Sequence, residues 1–395
     1  MDVASQTSAA VQLAGLTMSF GLFMLLIFIV VGFIGLLAYW FRSLYWSPKA
    51  VEKRRLITVT RVDENPVLRP IAEHWWESEA VFNPAAFVDD GRVHLLYRAM
   101  GGDGISRIGY ASSGDGIHFD DRVAHPVYDN SSDYVTTLRD KRYRKLSYDT
   151  DLYASGGGWG GCEDPRTVII NAKVYMTFGI FESWQSMRLA VTSLSTKDLR
   201  AGVWKWTPYI PMSPKQQTHK NWVLFPEKIN GKFAILHSLT PLPTIEYIDE
   251  LEELRESPIE SNNNRGGTPG RWDAFVRGAA APPIKTPAGW LLFYHGMNPE
   301  EPAVGYKVGA MLLDLNDPTR ILYRTNQPVL EPTEWYENDW KPGVVYASGA
   351  VLFGDDIILY YGGGDKYIAA AKANYKEFLH TLMTGEHAEL HNVTV

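Results

Sequence analysis

The sequence predicts an all-β protein, a five-bladed β-propeller, preceded by one N-terminal transmembrane helix. Three observations lead there. An apolar run near the N-terminus is long enough to cross a bilayer, a strand-and-turn pattern returns five times in the rest of the chain, and the composition is rich in aromatic and turn-forming residues. Among 395 residues there are 13 Trp, 21 Tyr, 34 Gly and 23 Pro, which favours short strands and tight turns over a helical bundle. A net charge of −7 argues against a nucleic-acid partner, because phosphate backbones select clustered Lys and Arg. The single cysteine, Cys162, excludes an internal disulfide framework and is compatible with a reducing compartment.

Residues 1–15 read as a leader. From Leu16 to Phe41 the chain is apolar for 26 residues, and no charge occurs between Asp2 and Arg42. At about 1.5 Å per residue such a helix exceeds a hydrocarbon core of roughly 30 Å. A cleaved signal peptide is the competing reading; it calls for a basic n-region, a shorter apolar core and a small-residue cleavage site. No Lys or Arg precedes the run, and Tyr39, Trp40, Tyr45 and Trp46 resemble an interfacial aromatic belt. The expectation is therefore a retained single-pass anchor. Residues 42–59 form a basic juxtamembrane linker with Arg42, Lys49, Lys53, Arg54 and Arg55, and this charge bias places the following domain in the cytoplasm.

Residues 60–380 carry the propeller expectation. A turn followed by an apolar strand ending in Tyr, Phe or His appears at 89–99, 171–179, 229–238, 286–296 and 353–363. A second strand follows several of them, at 107–119, 188–199, 306–318 and 367–378. This spacing suits one four-stranded sheet plus a variable loop per repeat, and radial repetition turns the inner strands toward one central pocket. A β-sandwich with unrelated hairpins is the alternative. Two long stretches interrupt the pattern, 125–161 with the basic cluster Arg139 to Lys145, and 243–273 with an acidic segment. Residues 381–395 read as a loose tail, where His387 and His391 are taken as a solvated pair rather than metal ligands.

No P-loop, HExxH, CxxC or GxSxG pattern occurs, so nucleotide, zinc and serine-hydrolase chemistry lack support. What stands out is Gly161-Cys162-Glu163-Asp164-Pro165-Arg166. Adjacent acids entering an apolar strand are costly to bury. In an extended backbone neighbouring side chains point to opposite faces; one acid then faces the pocket, and the other is free to pair with Arg166. A plain structural turn with a salt bridge is the alternative at this point.

This hexapeptide resembles the G-x-E-D-P-R element of glycoside hydrolase family 130, the β-mannoside phosphorylases and hydrolases built on a five-bladed propeller. Further matches follow in order: Leu224 to Lys228, Gly278 to Ile284, Trp290 to Gly296, Leu312 to Asp314 and Tyr360 to Asp365. The resemblance covers about residues 60–378. It implies that Asp164 is the general acid, passing its proton through a sugar hydroxyl to the glycosidic oxygen, and burial is expected to keep that proton on near neutral pH. It also implies that Asn83, Arg98 and Asp365 grip the sugar, and Glu163 and Arg166 are expected with them as substrate-binding residues.

Phosphorylases of the family show a basic residue and an Asp before the L-F-P-E-K element, an Arg after the next strand, and a His in Y-H-G. This chain has Lys220, Asn221 and Ser238 at the first positions, with His295 retained. Lys220, His237 and His295 are the candidate phosphate ligands, weaker than a set containing a bidentate Arg. Hydrolysis with inversion needs a second carboxylate about 6.5–9.5 Å from the acid, for which Glu227 and Glu337 are candidates. The weakened anion site favours an inverting hydrolase acting on β-mannosides or related short oligosaccharides. The alternatives are a phosphorylase using inorganic phosphate as co-substrate, the same enzyme run in reverse as a mannosyltransferase, and a non-catalytic glycan-binding propeller. No metal or organic cofactor is expected. Besides the oligosaccharide, the partners expected are the membrane and a second copy of the chain in a homo-oligomer.

Overall fold

The computed structural model describes residues 10–13, 16–45, 57–130, 160–183, 186–263, 269–300 and 305–385. The basic cluster Arg139 to Lys145, most of the 42–59 linker and the end of the tail with His387 and His391 lie outside them. The chain divides into two compact units, Met1–Arg55 and Leu56–Val395.

In the first unit, strands β1 (Ala10–Leu13) and β2 (Leu16–Ser19) pair as an antiparallel hairpin, and helix α1 spans Phe20–Tyr45. The helix therefore starts four residues later than the apolar run. Ser19, an N-cap type of residue, stands just before it, and the length of 26 residues is the same. Phe20–Leu37 has a mean hydropathy of 2.9 and no buried residue. By length and composition α1 can cross a bilayer, and both a signal sequence and an anchor meet that description.

The second unit is mostly β and forms five blades around a centre, the first two joined into one sheet by a short parallel pairing of Ile105 with Gly160 and Ser106 with Gly161. Strand β3 (Thr60–Arg61) belongs to the last blade. Blade 1 contains β4 (Ala80–Asp89), β5 (Arg92–Met100), β6 (Ile105–Ser113) and β7 (Asp121–Arg122). Blade 2 contains β8 (Gly160–Ile170), β9 (Lys173–Ser183), β10 (Ser186–Ser195) and β11 (Ile210–Pro211), with the short helix α2 (Thr196–Arg200). Blade 3 contains β12 (Val223–Leu224), β13 (Phe233–Ser238) and β14 (Thr244–Ile248). Blade 4 contains β15 (Phe275–Ala279), β16 (Ile284–Thr286), β17 (Gly289–Met297), β18 (Lys307–Leu313) and β19 (Ile321–Arg324). Blade 5 contains β20 (Val345–Phe353), β21 (Asp356–Gly363) and β22 (Tyr367–Asn374), and helix α3 (Tyr375–Thr384) follows. Each of the five sequence echoes is the second strand of a blade.

The ring closes because β3 pairs with β22, Arg61 opposite Ala371 and Thr60 opposite Lys372. An N-terminal strand thus completes the C-terminal blade, and no open edge remains there. Five hydrophobic clusters each fill the space between two consecutive blades, including one between blades 5 and 1 around Leu68, Val81, Tyr97, Tyr360 and Ile368. Burial is thus spread around the ring rather than gathered in one core.

Three blades share a buried polar triad among the described residues. An acid before the first strand accepts a hydrogen bond from a Tyr of the second strand and pairs with an Arg of the fourth. In blade 1 Tyr97 donates to Glu77 at 2.9 Å, and Arg122 donates to Tyr97 at 3.0 Å and pairs with Glu77. In blade 4 Tyr294 donates to Asp273 at 2.7 Å, and Arg324 reaches both. In blade 5 Tyr361 donates to Glu337 at 2.8 Å and Arg61 pairs with Glu337 at 2.8 Å. The third strand makes room for the ring. Gly109 stands opposite Tyr97 and Gly309 opposite Tyr294, where an added Cβ would come within 2.4 Å of the ring. Ala369 stands opposite Tyr361.

Candidate active site

The first strand of a blade breaks register where it reaches the centre. Shifts fall between Phe82 and Ala85 in β4, Glu163 and Arg166 in β8, Val276 and Gly278 in β15, and Ala347 and Gly349 in β20. Such bulges re-aim side chains and recur beside active sites. In two of them an Asx–Pro step supplies the break. Asn83 (φ 48°) precedes Pro84 and Asp164 (φ 51°) precedes Pro165. Asn and Asp tolerate this left-handed backbone better than other non-glycine residues. The expectation of a plain extended strand at Glu163-Asp164 is corrected accordingly.

A central cavity is lined by Asn83 and Arg98 of blade 1, Asp164 of blade 2, and Lys220 and Asn221 just before β12. Arg277 and Tyr306 come from blade 4, and Lys341, Val344, Tyr346 and Asp365 from blade 5. All five blades therefore contribute, at the ends where their first strands begin.

Asp164 is at the middle of the polar network. Its Oδ1 accepts from Asn83 Nδ2 at 2.8 Å and from Arg98 Nη1 at 3.2 Å. Arg98 is buried and fixed by Glu163 (Nη2 to Oε1, 2.9 Å) and by Ser106 Oγ (2.9 Å). Glu163 thus pairs with Arg98, not with Arg166 as expected. Arg166 instead donates to the carbonyls of Ala280 and Asp164, to Asn221 Oδ1 at 2.8 Å and to the Tyr346 hydroxyl at 3.0 Å. Neither Glu163 nor Arg166 lines the cavity; both hold residues that do. Asp365, also left-handed (φ 54°), accepts from Lys341 Nζ at 3.0 Å.

Burial by itself would raise the Asp164 pKa, but Arg98, Lys220, the Asn83 hydrogen bond and Arg166 outweigh it and hold it down to about 2. The expectation that burial keeps this carboxyl protonated is therefore not met in the unliganded site: opposite charges win over desolvation. Burial pushes the Lys220 ammonium down from its ordinary value, opposed by Glu163 and Asp164.

Of the three candidate phosphate ligands, Lys220 alone lines the cavity. His237 lies outside the lining, bonded to Ser261 Oγ at 2.9 Å and packed 5.5 Å from Trp222; burial, then His219, lowers its pKa to about 4. His295 is fully buried behind Tyr346, its ring stacked at 4.2 Å, and burial pushes its pKa well below the ordinary value. Both histidines are neutral at physiological pH. The two candidate bases also lie elsewhere. Glu227 is half exposed and pairs with Lys285 at 2.5 Å. Glu337 is fully buried in the blade 5 triad, and its Oε2 also accepts from the backbone N–H groups of Thr333 and Glu334.

Sequence reasoning missed Arg277, Lys341, Tyr306 and Tyr346. Arg277 immediately precedes the Gly278 to Ile284 motif and packs over the Phe275 and Tyr306 rings, so its position was within reach. Asn221 stands where the family's phosphorylases show an Asp. Its Oδ1 accepts from both Arg166 and Tyr346, and its Nδ2 donates to the Arg277 carbonyl at 2.7 Å.

A ring of bulged inner strands that gathers carboxylates, guanidiniums and amides in one pocket defines a carbohydrate-processing propeller. The chain belongs to glycoside hydrolase family 130: its family model, described as beta-1,4-mannooligosaccharide phosphorylase, matches residues 58–384. A 1,2-beta-oligomannan phosphorylase from a Thermoanaerobacter species is 35% identical over 331 residues, covering 82% of this chain and 99% of that one. A beta-1,2-mannobiose phosphorylase from the same organism is 32% identical over 330 residues, covering 80% and 97%. Among solved structures, a beta-1,2-mannobiose phosphorylase from Listeria innocua in complex with beta-1,2-mannobiose has a TM-score of 0.60 at 25% identity, covering 83% and 99%. Another, with a TM-score of 0.61 at 25% identity and 86% and 98% coverage, is described with the finding that this family of mannoside phosphorylases contains hydrolases targeting β-1,2-mannosidic linkages in Candida mannan. The chain is thus an enzyme of a family holding both activities, and the named relatives favour phosphorolysis over the hydrolysis expected from Ser238.

Proposed function

We propose that this protein is an inverting β-1,2-mannoside phosphorylase that releases mannose 1-phosphate. The observation that carries the reading is the charge of the cavity. Lys220, Arg277 and Lys341 join Arg98 there, while its carboxylates are Asp164 and Asp365. That surplus suits a phosphate dianion, and Arg277 supplies the planar guanidinium that the sequence motifs left wanting. Hydrolysis would need a second carboxylate to activate water. Glu227 and Glu337 are engaged elsewhere, and Asp365 is bonded to Lys341.

In this reading Asn83, Arg98 and Asp365 hold the terminal mannose, and Asp164 is the general acid acting through a sugar hydroxyl. Phosphate sits between Lys220 and Arg277 and attacks the anomeric carbon from the face opposite the leaving oxygen. Glu163 and Arg166 keep Arg98, Asn221 and Tyr346 in place. Helix α1 serves as a retained anchor with the propeller on the cytoplasmic side, where inorganic phosphate is available. The reverse reaction tests the assignment: mannose 1-phosphate with mannose should give a β-linked disaccharide and free phosphate, and no transfer from that donor would count against it.

A further inference from the structure

We infer that phosphate itself arms the acid: Asp164 is a carboxylate in the free enzyme and takes up its catalytic proton only when an anion occupies the Lys220–Arg277 side of the cavity. The inference rests on the phosphorylase reading and adds to it how that site separates phosphate from water.

The geometry of the unliganded site calls for a charged carboxylate. Asp164 Oδ1 receives two donors, Asn83 Nδ2 at 2.8 Å and Arg98 Nη1 at 3.2 Å, and the second is a buried ion pair in which the guanidinium would lose part of its counter-charge if the acid were neutral. Arg98 cannot swing aside, because Glu163 and Ser106 hold its other nitrogens. The charged groups around the acid come from every neighbouring blade: Arg98 from blade 1, Glu163 and Arg166 from its own strand, Lys220 from blade 3, Arg277 from blade 4, and the Lys341–Asp365 pair from blade 5. His295, Tyr346 and the cavity-lining Tyr306 are titratable neighbours without a formal charge. Burial keeps His295 unprotonated and Tyr346 protonated, so neither changes charge near neutral pH. Cations dominate, and they hold the proton off Asp164. A phosphate dianion shared by Lys220 and Arg277 cancels that field and places like charge near the carboxylate, both of which favour the neutral acid.

The proton count closes. Anion binding draws one proton from solvent onto Asp164. A phosphate oxygen then bonds to the anomeric carbon while the glycosidic C–O bond breaks with its electron pair on the leaving oxygen. That oxygen receives the Asp164 proton through the sugar hydroxyl, and Asp164 is a carboxylate again. The sugar phosphate leaves as a dianion, returning the phosphate's own hydroxyl proton to solvent. Water entering before phosphate meets an acid with no proton to give, so the glycoside is not hydrolysed while the anion site is empty.

The test is calorimetric titration of the full-length protein in detergent with inorganic phosphate, and with sulfate as an anion that carries no proton. It is run at about pH 6 in two buffers of different ionisation enthalpy, with the sulfate arm giving the proton count because sulfate does not titrate there. The expected result is uptake of about one proton per bound anion, abolished in Asp164→Asn and retained in Lys220→Arg, whose guanidinium cannot titrate. Asp164→Asn should also bind the anion at least about tenfold more tightly, since a like charge is removed. Anion binding with no proton uptake, or uptake undiminished in Asp164→Asn, would overturn the inference and leave the phosphorylase reading standing. If Lys220→Arg binds no anion, the wild-type and Asp164→Asn comparison decides. Failure of phosphate to bind the wild-type protein would remove the phosphorylase reading and this inference with it.

Discussion

Arg61 Nε lies 2.8 Å from Glu337 Oε1, a contact between residues 276 positions apart. The pair joins the strand that closes the ring to the loop that opens blade 5, and it repeats the arrangement of Arg122 with Glu77 and of Arg324 with Asp273. Its position in a threefold-recurring triad makes Glu337 a structural acid. Replacing Glu337 with Gln leaves Arg61 facing a neutral group, and breaking a buried pair in this way costs about 3–5 kcal/mol. Thermal or denaturant unfolding should show that loss, while protein that remains folded keeps the kcat of the parent. A parental melting curve with collapsed kcat would instead return Glu337 to the chemistry.

Asp164→Asn removes the acid and preserves the two donor contacts in shape. Turnover of an unactivated mannoside should fall by about 10²–10⁴-fold, the usual worth of general acid catalysis, in protein that still folds but melts lower because the ion pair with Arg98 is lost. Steady-state kinetics beside a melting curve checks both halves of this expectation.

Arg277→Ala should raise the KM for phosphate by about 10–100-fold, equivalent to one charge-assisted hydrogen bond of about 1.5–3 kcal/mol, and leave the KM for the glycoside within about twofold. An equal rise in both constants would place Arg277 against the sugar rather than the phosphate.

The acid limb of stability should report His237. Its pKa is lowered to about 4 by burial and then by His219, against about 6.5 unfolded. The unfolded chain therefore binds a proton that the folded one refuses, so stability falls as pH drops from about 6.5 to 4 and that contribution then levels off. The loss amounts to about 3 kcal/mol for this group. Denaturation midpoints across that range should show the slope, and His237→Asn should reduce it by that amount, with His295 and the other buried histidines supplying the rest.

Helix α1 provides the remaining prediction. A retained anchor leaves the full-length protein in the membrane pellet after an alkaline wash, with Met1 still present and the propeller open to protease only from the cytoplasmic side. A mature N-terminus beginning after α1 would make the segment a signal sequence.

The sequence showed the second strand of every blade and missed most first strands. Second strands such as 92–100 and 289–297 are buried on both faces, so their apolar runs stand out. The first strands carry Asn83, Asp164, Arg277 and Tyr346 at bulges, and those functional residues interrupt the alternation that marks a strand. Asp164 was legible because its motif is contiguous. Lys341 was not, since it reaches the cavity from a loop and is identified only by its contact with Asp365. Glu337 misled for the same reason: a carboxylate at a plausible distance along the chain carries no sign of the arginine that closes on it from residue 61.

The most direct measurement is product analysis of the full-length protein with β-1,2-mannobiose, with and without inorganic phosphate. The account predicts mannose 1-phosphate and mannose in equal amounts when phosphate is present and no turnover when it is absent. Mannose alone, released at a rate indifferent to phosphate, would contradict it and require a water-activating base that the described cavity has not revealed.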